Sequence, residues 1–111
     1  MRIYVDIDGT LTVSQHPRWA APRVDMIEKV KKLIADGHQV VIWSGTSKYA
    51  QACCDKYDIK PDVATGKPNM IVDNQQPFRR ARRMPSLTPD EFMEREIPAP
   101  EGRRRRRRAK G

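Results

Sequence analysis

Apolar and polar positions fall in blocks along the chain, and the spacing inside each block predicts its conformation. In "RIYVDI", residues 2 to 7, Ile3, Tyr4, Val5 and Ile7 make a nearly continuous apolar run. Such a run predicts a central parallel strand covered on both faces. A polar, proline-containing stretch to about Pro22 reads as a loop. Over 23–36 the period becomes helical. Val24, Ile27, Val30 and Ile34 form a stripe, widened by Met26 and Leu33, while Glu28, Lys29 and Lys32 face away. Pro22 suits the first turn, and Gly37 suits the left-handed residue that ends the helix. "QVVIW", 39–43, is a second buried strand, and 47–57 is a shorter helix with Ala50, Cys53 and Tyr57 inward. "DVAT" at 62–65 and "MIVD" at 70–73 read as third and fourth strands. In "LTPDEF", Thr88 is a helix cap, Pro89 the first helical residue and Glu91 the partner that closes a capping box, with Leu87 and Phe92 at staple spacing.

Strand, helix, strand, helix, strand defines an α/β class with a small, mostly parallel sheet. The 111 residues suit one domain. Proline, glycine and arginine replace the apolar pattern from Pro98 onward. The domain is therefore expected over 1–97, followed by a disordered polybasic tail over 98–111. No apolar run approaches the roughly 18 residues that cross a membrane. Asp6 and Asp8 interrupt the early apolar segment, so no signal peptide is expected and the cytosol is the default compartment. The adjacent Cys53 and Cys54 point in different directions on a helix and read as buried thiols.

The net charge of +8 is unevenly placed. Of the 22 basic residues, seven lie at 103–111, which leaves 15 against 14 acidic side chains in the rest. Arg103, Arg104, Arg105, Arg106, Arg107 and Arg108, with Arg79, Arg80, Arg82 and Arg83 of "PFRRARR", are candidates for holding nucleic acid or another polyanion. For the internal cluster the competing reading is a solvated face paired to acids such as Glu91 or Glu94.

Open parallel sheets bind ligands beyond the carboxyl ends of their strands. Here the first strand ends in Asp6 and Asp8, the second in Ser44 and the fourth in Asp73, and Lys67 precedes the fourth. Carboxylates gathered on one rim repel, and a hard cation such as Mg²⁺, which prefers oxygen donors, relieves that repulsion. With the charge partly neutralised, the rim accepts a phosphate. Ser44, the backbone amides around Gly9, Thr10 and Gly45, and a helix N-terminus would bind its oxygens, and Lys67 would offset charge. A carboxylate beside a phosphoryl group acts as a nucleophile, and a second one relays the proton. Gly9 permits the sharp turn that would swing Asp8 toward the leaving group. Each residue also has a plainer reading: Asp8 and Thr10 as turn formers, Ser44 as a helix cap, Lys67 as a loop lysine, Asp73 as a strand-end residue. Trp43 reads as core. Trp19 reads as packing over a helix edge, or as a substrate platform. His16 and His38 carry no functional expectation.

These motifs, in this order, resemble the phosphatases of the haloacid-dehalogenase-like (HAD) superfamily. "DIDGT" matches the first motif, "VIWSG" looks like the second, "GKP" the third and "IVD" the fourth. The resemblance covers roughly residues 2 to 75. It implies a three-layer, Rossmann-like core, Asp6 as nucleophile and Asp8 as general acid/base. Ser44 and Lys67 would serve as phosphate-binding catalytic residues, and Mg²⁺ would be held by Asp6, Asp73 and the backbone carbonyl of Asp8. The implied reaction is phosphomonoester hydrolysis through an aspartyl-phosphate, on a nucleotide, a small phosphorylated metabolite or a nucleic-acid terminal phosphate. A weakly active or inactive module that binds polyanions is the alternative. Asn74 stands where the family usually supplies a further acid. About 14 residues separate Gly9 from Arg23 and about 20 separate Ser44 from Lys67, too few for a cap domain.

Overall fold

The computed structural model of the chain describes residues 1–13, 21–72, 74 and 84–100. The elements run β1 (Arg2–Asp6), α1 (Val24–Asp36), β2 (Gln39–Ser44), α2 (Ser47–Tyr57), β3 (Val63–Gly66) and α3 (Pro89–Glu94). The three strands form a parallel sheet in the order β1-β2-β3. Together with its flanking helices the sheet makes a small α/β fold, with no separate cap domain among the described residues. Among the described residues no helix is long and apolar enough to cross a membrane.

Alternation divides the sheet into two faces. One carries Val5, Val40 and Ile42, continued by Ile7 beyond the strand. These pack with Met26, Ile27, Val30 and Leu33 of α1 and with Ala50, Cys53 and Cys54 of α2 in a single core. The other face carries Tyr4, Asp6, Val41, Trp43, Val63 and Thr65. There Tyr4 is 49% exposed and Val63 is 47% exposed. The continuous apolar run of β1 predicted cover on both faces. In the structure β1 is an edge strand of the three, and the third layer implied by the resemblance is not formed among the described residues.

The end of each helix follows from its sequence. Gly37 takes φ 104° and closes α1 with its N–H on Ile34 and Leu33 carbonyls. Asp58, at φ 54°, does the same for α2, an acidic side chain being among the few that tolerate the left-handed region. Thr88 and Glu91 form the complete capping box at the start of α3, with Pro89 in the first turn. Two expectations for α1 fail. Val24 lies at its exposed start. Lys29 turns inward instead of away, donating to the carbonyls of Phe92, Met93 and Arg95 and lying 4.7 Å from the Phe92 ring centroid. A lysine of one helix thus satisfies the open carbonyl end of another, a task α3 has no basic residue of its own to perform.

The fourth strand expected at 70–73 is also corrected. Met70, Ile71 and Val72 are exposed and carry no strand pairing. Three apolar residues are too short a run to hold an extended segment without a paired neighbour. Asp73, the arginines at 79, 80, 82, 83 and 103–108, His16 and Trp19 lie outside the described residues. At the proposed domain boundary, the Pro98 carbonyl meets the buried His38 ring at Nε2, 2.9 Å away. Against a carbonyl Nε2 acts as the donor, and Nδ1 is buried without a partner among the described residues.

Candidate functional site

Because the sheet is parallel, the carboxyl ends of all three strands share one rim. Register sets the heights. Asp6 is level with Trp43 and Thr65, while Ser44 and Gly66 stand one residue further out. Lys67 then leaves the end of β3, and its N–H donates to the Ser44 carbonyl at 2.7 Å. Its side chain reaches across β2, so that the ammonium lies 3.1 Å from the Asp6 carboxylate. The same ammonium is 5.9 Å from the Trp43 ring centroid. Asp6 and Lys67, 61 positions apart in sequence, are thereby one ion pair, with 36% and 47% of their side chains exposed respectively.

The turn after β1 is built around one carbonyl. Ile7 accepts the N–H groups of Thr10, Leu11 and Thr12, at 2.9, 2.8 and 3.2 Å. Gly9 holds φ 79°, and a side chain there would meet nothing within 4 Å. The requirement at this position is thus torsional rather than spatial. The Thr10 amide, expected to bind phosphate, is instead spent within the turn, so Thr10 is a turn former. The base of the following loop is closed where Val13 donates to Ala21 and Arg23 to Leu11, beside the bridge between Thr12 and Pro22.

Asp8 emerges from this turn half-buried and accepts a short hydrogen bond from the Tyr49 hydroxyl. Sequence reading passed over Tyr49. The available signal was its place in the first turn of α2, three residues after the cap, on the helix that starts from the same rim. That cap is Thr46, whose hydroxyl accepts the Tyr49 N–H at 3.2 Å. Ser44 is therefore not the cap of α2. It is buried at the rim with 7% of its surface exposed. Gly45 is exposed and its surroundings are open.

The end of β3 is pressed against α2. A Cβ on Gly66 would stand 3.3 Å from the Ser47 nitrogen, and the Gly66 N–H donates to the Ser47 hydroxyl at 3.1 Å. These contacts tie the Lys67 loop to the start of α2. Below Asp8, burial, then neighbouring Cys54, then Asp8 itself push the Cys53 thiol up to about 12. Burial and Asp55 push Cys54 up to about 11. Both thiols are buried and free, as expected from their adjacency.

Asp6, Asp8, Ser44 and Lys67 thus share the rim. Among the described residues no three His, Cys, Asp or Glu side chains are grouped as a metal site. The donors that remain, the Asp6 carboxylate and the Asp8 backbone carbonyl, are hard oxygens of the kind Mg²⁺ takes.

No family model and no curated protein matches the chain. A solved structure does: an MCSG target from Vibrio cholerae, with a TM-score of 0.61 at 19% sequence identity, covering 99% of this chain and 98% of that one. At that identity the likeness concerns the fold alone.

Proposed function

We propose that this chain is a capless phosphatase of the HAD-like kind, hydrolysing phosphomonoesters with Mg²⁺. The observation that carries the reading is the Asp6–Lys67 ion pair at the carboxyl rim of a parallel sheet. A second carboxylate, Asp8, stands two residues on and is oriented by Tyr49.

In this reading an oxygen of Asp6 attacks phosphorus, and the bond from phosphorus to the ester oxygen breaks. Asp8 gives its proton to the departing oxygen. It then takes a proton from water, which attacks the phosphorus of the aspartyl-phosphate, releases inorganic phosphate and restores Asp6. The two carboxyls need unequal environments for these roles, and they have them: Asp6 faces an ammonium, Asp8 a neutral hydroxyl. Lys67 offsets charge on the phosphoryl oxygens, and the Ser44 hydroxyl donates to one of them. Bound Mg²⁺ would neutralise charge on the phosphate. It would be held by the Asp6 carboxylate, the Asp8 carbonyl and Asp73, the last outside the described residues.

The test is phosphate release from a panel of phosphomonoesters, with and without Mg²⁺, for the intact chain and for Asp6→Asn. Metal-dependent release that falls at least 10³-fold in the variant is the expected result, in keeping with loss of an essential nucleophile. A polyanion-binding module without activity is the competing reading, favoured by Asn74 where a further acid is usual and by the net charge of +8. Absence of turnover across the panel, with retained binding of polyanions, would establish it instead.

A further inference from the structure

The face of the sheet turned away from α1 and α2 carries an aromatic pair at the candidate site. Tyr4 and Trp43 lie with ring centroids 4.7 Å apart and planes inclined by 62°. Trp43 is half-buried, whereas Tyr4 keeps 49% of its surface in solvent. Edge-on packing of this kind fixes one ring against another and leaves a ring face open. Both belong to the face that bears Asp6: Trp43 is its register partner on β2, and Tyr4 precedes it by two residues on β1. A two-residue step along a strand is roughly 7 Å, comparable with the reach from phosphate to base in a nucleotide. The Lys67 ammonium joins the two regions, paired with Asp6 and 5.9 Å from the Trp43 centroid.

We infer that Tyr4, backed by Trp43, is a stacking platform for the last base of a single-stranded nucleic acid whose terminal phosphomonoester sits at Asp6 and Lys67. The inference rests on the phosphatase reading for the phosphate and adds the class of substrate. Every base has a π-face, so a platform of this type selects a nucleobase without selecting its identity. A strand end supplies an unpaired base, which a duplex interior does not. Charge argues for a polymer over a free nucleotide. The chain carries 22 basic against 14 acidic residues, an excess that favours a partner with many phosphates over one with a single phosphate.

The experiment uses the full chain with Mg²⁺ at low salt. Phosphate release is measured from hexathymidylate phosphorylated at its 5′ or 3′ end, from thymidine monophosphate and from glycerol phosphate. Binding of fluorescein-labelled phosphorylated hexathymidylate is measured in parallel by anisotropy. We expect kcat/KM for one of the oligonucleotides to exceed that for both small esters by about tenfold or more. Tyr4→Ala and Trp43→Leu should each lower the ratio of oligonucleotide to glycerol phosphate turnover by about tenfold, and weaken oligonucleotide binding to match. Tyr4 is half in solvent, so its truncation leaves the fold intact even if the Trp43 variant does not fold. A ratio unchanged in Tyr4→Ala, or thymidine monophosphate turned over as well as the oligonucleotide, overturns the inference. If the intact chain releases no phosphate from any ester, the phosphatase reading fails by itself. The platform is then judged on anisotropy: weaker binding in Tyr4→Ala upholds it, and equal binding refutes it.

Discussion

Replacing Lys67 by methionine separates a functional ion pair from a structural one. Both partners are substantially exposed, 47% for Lys67 and 36% for Asp6. Solvent screens such a pair, and exposed pairs contribute about 0.2–1 kcal/mol. Methionine keeps most of the side chain's apolar length beside Trp43. The loss of stability should therefore stay below about 1 kcal/mol, a fall in Tm of no more than about 8 °C for a domain of this size. The catalytic effect has a different scale. In the proposed reaction the ammonium faces charge that builds on the phosphoryl oxygens, and removal of one such preorganised donor costs about 10²–10³ in rate. The assay is kcat and KM for a phosphomonoester with Mg²⁺, paired with a thermal melt of the same preparation. A rate within threefold of the parent would refute the assigned role of Lys67. So would a rate loss no larger than the fraction unfolded at the assay temperature.

Two further outcomes follow from groups away from the rim. Lys29→Met leaves the carbonyls of Phe92, Met93 and Arg95 without their shared donor. The expected cost is about 1–2 kcal/mol, with hydrogen exchange accelerated at the Phe92 and Arg95 amides and unchanged in β2; equal protection of α3 in variant and parent would contradict the docking role. The thiols are held above their ordinary value of 9, Cys53 at about 12 and Cys54 at about 11. Neither should react with iodoacetamide at pH 8 while folded, and both should react in denaturant. A folded value raised above the unfolded one gives stability that is complete below pH 9 and is lost as pH rises toward 11 to 12, so the urea midpoint should fall over that interval. Rapid native alkylation at pH 8 would show that the thiols are not buried.

Local signals were the most legible part of the sequence. The helix expected over 47–57 matches α2, and the capping box written in Thr88, Pro89 and Glu91 is complete in α3. These elements are specified by neighbours in sequence, so their patterns survive translation into structure. The meeting of Asp6 with Lys67 was legible for another reason: a parallel sheet puts all its carboxyl ends on one rim, wherever the residues stand in the chain. What escaped depends on packing between elements. Tyr49 reaches Asp8 only because α2 lies beside the turn after β1, and no period encodes that placement. Lys29 looked like a solvent-facing helix position until α3 docked against it. The apolar run of β1 announced a strand, but the number of layers above it is a property of the assembled sheet. "MIV" at 70–72 has strand composition and no ladder among the described residues to join.

Parallel registration also decides when the rim of this protein is complete. Tyr4, Trp43 and Lys67 come from three separate passes of the chain, and each pass must cross over through a helix before the next can pair. During synthesis Asp6 would be made early and its cationic partner Lys67 some sixty residues later. Pairings between such distant segments are slow to form. In a refolding experiment, appearance of the proposed phosphatase activity would consequently lag behind helix formation and report the docking of β3.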